Sequence, residues 1–233
     1  MSAPGLTVPT VEWEWWWVPA ADHDEADGHR WQSATATLFA EWLDDGVRGV
    51  ASSLPPELRE GLDARSVGQE VAVWLRSRAL GQPPSTYVAW GAAFLTPDRP
   101  RWGPVVALVE LREPTDDDPA YLMDLVGASG RPDDARRPLV DYVTTDGGDG
   151  VRVSALGREP SGAAHVRVDA ALRLDATDAR GPVDVLVATR VADLALFGTV
   201  GRGVDTLLHR VVADAPALTG TGPVSSPNPR SAP

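Results

Sequence analysis

Cysteine is absent from this chain of 233 residues. Disulfide frameworks, thiolate nucleophiles, zinc–thiolate centres and iron–sulfur clusters are thereby excluded. The absence fits a reducing compartment. Lysine is absent as well, so all 21 basic residues are arginine. No Schiff base, lysine general base or phosphate-loop lysine can form. No apolar run approaches the ~20 residues that a spanning helix needs. Met1 to Thr10 carries neither a basic region nor a continuous apolar stretch, so no secretory signal is read. These absences predict a soluble, cytoplasmic protein.

Basic charge is also outnumbered. The formal net charge is −12, which repels phosphate backbones and anionic lipid surfaces. Nucleic acid and membranes are therefore not expected partners. The densest arginine patch, Arg131, Arg136 and Arg137, sits beside Asp133 and Asp134. It reads as a solvated face. Apolar residues make up 43% of the chain, enough for a substantial core. The length suits one domain.

Composition sets the expected boundaries. Residues 1–10 and the proline-, glycine- and serine-rich stretch 214–233 are too poor in apolar surface to offset their ordering entropy. Both are expected to be disordered, leaving a single α+β domain at 11–213. No repeat of fixed period is found.

Val11 to Val18 alternates, with Trp13, Trp15 and Trp17 on one face and Trp16 on the other, which is strand periodicity. Ser33 to Asp44 turns helical, with Leu38, Phe39, Trp42 and Leu43 on one face. A second helix is expected to open at Pro55-Pro56 and run to Gly81, with Val67, Val71, Trp74 and Leu75 in its apolar stripe. Thr86–Leu95 and Pro104–Arg112 read as a hairpin. A short helix follows from Pro119 to Val126. Val140–Thr144 and Val151–Leu156 flank the turn signal DGGDG. Ala164–Leu174 reads as a half-exposed strand and Val183–Val191 as the last one. A helix from Asp193 to Ala213 closes the domain. The order β-α-α-β-β-α-β-β-β-β-α predicts a mainly antiparallel sheet packed against helices.

Candidate chemistry is sparse. The acidic segment Asp22 to His29 could interest a hard cation. However, Ala26, Asp27 and Ser33 break the calcium-loop spacing, and a solvated acidic loop is the plainer expectation. Gly198 to Gly203 reads GTVGRG, the wrong order for a dinucleotide fingerprint and without a following lysine. Its glycines are expected to permit close packing of helix on sheet. His165 and His209 read as surface residues, and no cofactor or metal is called for.

Nine tryptophans are many for this length. Trp16 and Trp102 are the candidate interaction residues. Trp16 lies opposite the core-facing tryptophans and Trp102 in a turn-rich hairpin connection. An exposed indole is a frequent interface anchor. For Trp16 the alternative is burial under a helix on the second face of the sheet.

The early WWWVP (Trp15 to Pro19), the stretch from Pro56 to Pro114 and the closing strand–helix from Val183 to Val212 carry a resemblance. By pattern the chain resembles a group of proteins from high-GC, actinobacterial-type genomes. Those proteins are similar to the PsbP/Mog1-like α+β fold. That fold is mostly used to bind other proteins, so the resemblance implies an interaction module and supplies no catalytic residue.

Three functions stay open on the sequence. The first is a non-catalytic interaction or accessory protein with a protein partner, favoured if that partner is basic. The second is a small-molecule or carbohydrate binder, or an enzyme assembled from distant groups such as Asp141, His165, Arg167 and Asp169. The third is a structural homo-oligomer, for instance one joined through an aromatic first strand at a sheet edge.

Overall fold

The computed structural model describes residues 11–20, 24–50, 55, 61–96, 99–175 and 181–219. The expected disordered ends lie largely outside them. Seven antiparallel strands form one sheet: β1 (Glu12–Val18), β2 (Thr86–Thr96), β3 (Arg99–Arg112), β4 (Leu139–Thr145), β5 (Gly148–Arg158), β6 (Ala164–Leu174) and β7 (Val183–Val191). Their spatial order is β1-β2-β3-β7-β6-β5-β4. The main helices among the described residues are α1 (Glu25–Val50), α2 (Ala64–Leu80), the short α3 (Tyr121–Leu125) and α4 (Phe197–Thr219), the last entered through a 3-10 turn at Leu194–Leu196. The class is α+β and the element order is the one the sequence predicts.

Alternation along β1 decides which helices cover which face. Trp13, Trp15 and Trp17 point to the face covered by α4, where they join Val166, Val168, Val187, Leu207, Leu208 and others in the main core. Two of these indoles bond to α4: Trp15 Nε1 donates to Gly203 O at 2.8 Å and Trp17 Nε1 to Asp214 Oδ2 at 2.7 Å. Trp16 and Val18 point to the other face. There α1 and α2 cover the β1–β2 end with Trp31, Phe39 and Leu75. At the far end of this second face, α3 places Leu122 and Val126 on Val151, Val153 and Ala171.

Of the glycines of GTVGRG, Gly201 and Gly203 pack against Arg152 and Trp13, whereas Gly198 is exposed and faces open space. A Cβ on Gly203 would lie 2.5 Å from the Trp13 ring. Gly203→Val is therefore expected to destabilise the fold by about 1–3 kcal/mol, read as a lowered urea midpoint with an unchanged slope.

Several boundaries move, each for a physical reason. α1 starts well before Ser33 because Asp24 caps it, accepting from Ala26 N at 2.8 Å, and because Trp31 already belongs to its buried stripe. It also runs through Gly46. α2 is capped at Asp63, whose side chain accepts from Arg65 N and Ser66 N. Of the proposed Pro-Pro start only Pro55 is described; Pro56 lies outside the described residues. α4 runs on to Thr219 through Pro216, past the expected domain limit. Leu218 is buried, and its carbonyl accepts from Tyr87 OH at 2.7 Å. β6 is not half-exposed. It is central in its half of the sheet and buried on both faces.

Candidate functional site

The sheet gathers ionisable residues on the second face, under the loop that leaves α3. Strand alternation places His165, Arg167, Asp169 and Arg173 of β6 on this face, with Arg190 and Asp184 beside them on β7. Arg167 is fully buried and is the hub. Its Nε and Nη2 grip Asp134 as a fork, at 3.1 Å to Oδ1 and 2.7 Å to Oδ2. Its Nη1 donates to Val126 O at 3.0 Å and to Asp169 Oδ2 at 2.9 Å. Asp169 also takes Arg190 Nη1 at 2.6 Å and Arg131 Nη2 at 2.9 Å. The Asp134 and Asp169 side chains are only 3% and 4% exposed.

Burial works against the Arg167 charge, but the hydrogen bonds and charges of Asp134 and Asp169 outweigh it and raise its pKa. Asp134 and Asp169 are both gripped by guanidinium groups. Among the described residues, the recorded partners of their side chains are arginine guanidiniums and the Arg131 backbone N–H. The arrangement clamps a loop. Asp134 also accepts from Arg131 N at 2.7 Å, and the turns at Gly127 and Gly130 use the left-handed backbone, with φ of 69° and 97°. The arginine patch read as a solvated face is thus divided. Arg131 and Asp134 belong to the buried clamp, while Arg136 and Arg137 remain exposed beside an open cleft of about 670 Å³.

Two further pairings repeat the pattern. Asp184, buried and with its pKa raised by that burial against the pull of Arg112, accepts from Arg173 Nε at 2.8 Å and from Tyr121 OH. Arg173 also donates to the carbonyls of Asp116 and Asp117, at 2.7 Å each, which ties the β3–α3 connection to the sheet. At the β4–β5 end, Arg152 joins Asp141, at 2.7 Å, to Asp205 of α4. Burial raises the Asp205 pKa, partly offset by Arg152.

The distant groups proposed for an assembled site therefore separate. Arg167 and Asp169 meet, and Asp141 lies at the sheet edge with Arg152. His165 is not a surface residue: both its ring nitrogens are buried without a hydrogen-bond partner. Its ring occupies the space that a side chain on Gly157 would fill, with a Cβ there falling 2.5 Å from Nε2.

For Trp16 the structure takes the alternative of burial under a helix on the second face, and it is not an exposed contact. It is 7% exposed, stacked on Trp90 at 4.3 Å between ring centroids and close to Trp42 and Phe94. The face opposite the first core has a core of its own. Trp102 falls within β3 rather than in a hairpin connection, and its side chain lies outside the described residues. The acidic segment is corrected in part. Asp22 and His23 lie outside the described residues, but Asp24 is spent as a cap, Asp27 pairs with Arg30, and Glu25 and Asp27 occupy the positive end of α1. Among the described residues, no group of three or more His, Asp or Glu could hold a metal.

The exposed indole is one that the sequence assigned to a buried stripe. Trp74 is 45% exposed on the outer side of α2, with Val73 at 46% and Leu80 at 50%. The Arg78 guanidinium lies 5.2 Å from the Trp74 ring centroid. Helical spacing from Val67 through Val71 pointed Trp74 inward, but the face of α2 that packs is Ala64, Gly68, Ala72, Leu75 and Ala79. Its small residues let α1 approach closely; a Cβ on Gly68 would run into the Ala36 carbonyl. Small residues, rather than large ones, were the available signal. No helix among the described residues is long and apolar enough to cross a membrane. Comparison with known proteins finds no matching family model, no matching curated protein and no matching solved structure.

Proposed function

We propose that the chain is a non-catalytic interaction or accessory protein that binds another protein through the outer face of α2. The carrying observation is the exposed Trp74 on the outer side of α2, a helix that also exposes Val73 and Leu80. A solvated indole costs hydrophobic free energy unless a partner covers it, and tryptophan is enriched among the residues that dominate interface energetics. The clamp supports the same reading, because its charges are consumed in holding a loop. The acidic balance of the whole chain favours a partner with basic surface, which electrostatic attraction would bring in faster. The pattern-level resemblance to a fold used for binding proteins leans the same way.

Affinity capture from the native host tests it, with wild type and Trp74→Ala side by side. Wild type should retain a stoichiometric protein, and the purified pair should bind in calorimetry. Trp74→Ala, altering a surface residue, should remain folded and lose about 30-fold or more in affinity. A partner held equally by both proteins, or none at all, contradicts the reading.

A further inference from the structure

The two edges of the sheet are treated differently. At β1, Arg210 Nη1 donates to Trp15 O at 2.6 Å, and Arg76 reaches the carbonyls of Pro19 and Ala20 just past the strand. β4 has no such guard. Among the described residues nothing pairs with its outer edge. The strand, LVDYVTT, contains no arginine, lysine or proline, the residues that normally discourage edge pairing. Leu139 is 53% exposed and Tyr142 78%.

The hydrogen-bond pattern fixes which backbone groups of β4 turn outward. Leu156 O accepts from Ala135 N, and Arg158 N donates to Asp133 O. The even-numbered residues of β5 therefore turn their backbone groups toward the β4 side. Their partners on β4 are Leu139, Asp141, Val143 and Thr145. Alternation leaves the N–H and C=O groups of Val140, Tyr142 and Thr144 directed outward.

We propose that a second copy of this chain occupies this edge, with β4 pairing antiparallel to β4 about a two-fold axis at Tyr142. The strand is symmetric about that residue, so its seven residues pair end to end without overhang. Val140 then faces Thr144 of the other copy, and Tyr142 faces Tyr142. Every outward N–H and C=O finds a partner, and the central aromatic pair adds cross-strand packing. Asp141 falls opposite Val143. Neighbouring registers are worse. Centring on Asp141 opposes two carboxylates and sets Thr144 against Pro138, which has no N–H to give. Centring on Val143 carries Val140 past the strand end to Asp146.

Charge selects this occupant despite the net −12. Exposed Arg136 and Arg137 precede β4, and exposed Asp146 and Asp149 lie at its other end. The antiparallel two-fold brings the basic end of each copy alongside the acidic end of the other, with Arg137 beside Asp146. The interface is isologous, so each contact occurs twice. It is separate from the Trp74 face.

Sedimentation of the full chain over a wide concentration range tests the proposal. Wild type should show a concentration-dependent monomer–dimer equilibrium. Tyr142→Pro deletes an outward N–H while leaving every bond to β5, a change that edge strands tolerate, and should leave only monomer. Arg137→Asp and Asp146→Arg should each weaken dimerisation by about tenfold, and the two together should restore it. The charge reversals decide the matter even if Tyr142→Pro fails to fold. A wild type that stays monomeric throughout overturns the proposal, as does a dimer indifferent to both kinds of change. A monomer that still captures a partner through Trp74 overturns only the dimer and leaves the interaction reading intact.

Discussion

Arg167→Ala is expected to cost about 3–5 kcal/mol of stability, the loss found when one partner of a buried ion pair is removed. The reason lies in what the substitution leaves behind. Asp134 and Asp169 have side chains only 3% and 4% exposed. Without the guanidinium, the Asp134 carboxylate keeps the Arg131 backbone N–H as its recorded partner. Asp169 is better placed, because Arg131 and Arg190 also reach it. The loop after α3 loses the Val126 carbonyl contact as well. The cost should therefore appear as loosening of 126–138 before global unfolding, with backbone amides there gaining hydrogen-exchange rate. Arg167→Lys should recover little. An ammonium cannot reproduce the fork on Asp134 while also reaching Val126 O and Asp169. Urea denaturation with exchange mapping checks both points. A loss below about 1 kcal/mol would mean that the clamp contributes little to the fold.

Trp90→Ala is expected to cost a comparable 3–5 kcal/mol. Trp90 is fully buried. Its ring stacks on Trp16 at 4.3 Å and lies 4.9 Å from Phe39, with Trp42 at 6.0 Å. It is the central member of the aromatic cluster that attaches α1 and α2 to the sheet. The indole Nε1 is buried without a partner, so the ring contributes through packing alone. Removing it leaves a cavity that four-ring packing cannot close by small shifts. The loss should fall on the α1–α2 layer, while α4 on the opposite face stays protected. Since a domain is stable by only about 5–15 kcal/mol, either substitution consumes a large share. Chemical denaturation followed by far-UV circular dichroism measures it.

Much of the architecture was legible because strands and helices impose different periods. The alternation in VEWEWWWV, the turn signal DGGDG and the stripe of α4 each identify an element and its buried side. The faces were less legible. Trp16 stayed open between contact and core because alternation says only that it opposes Trp13, Trp15 and Trp17, not whether the second face is covered. Trp74 reads as inward because its spacing to Val71 mimics a buried stripe, whereas the packed face of α2 is lined by alanine and glycine around a single large residue, Leu75. The clamp was invisible for a different reason. Asp134 and Arg167 are 33 positions apart in the chain, and polar residues at period two on β6 look the same whether they meet water or a loop folded over them. The guard on β1 depends on Arg210 reaching over from α4, a contact that local pattern does not encode.

The most direct test of the account is the triple replacement Arg167→Met, Asp134→Leu and Asp169→Leu. Arg131 and Arg190, with side chains 35% and 40% exposed, can turn their charges to solvent. If the buried ions serve only to hold the loop, removing all three should leave stability within about 1–2 kcal/mol of wild type, with Trp74-dependent partner binding unchanged. A variant that folds as well as wild type but no longer binds would contradict the account, because it would place the working chemistry in the clamp itself.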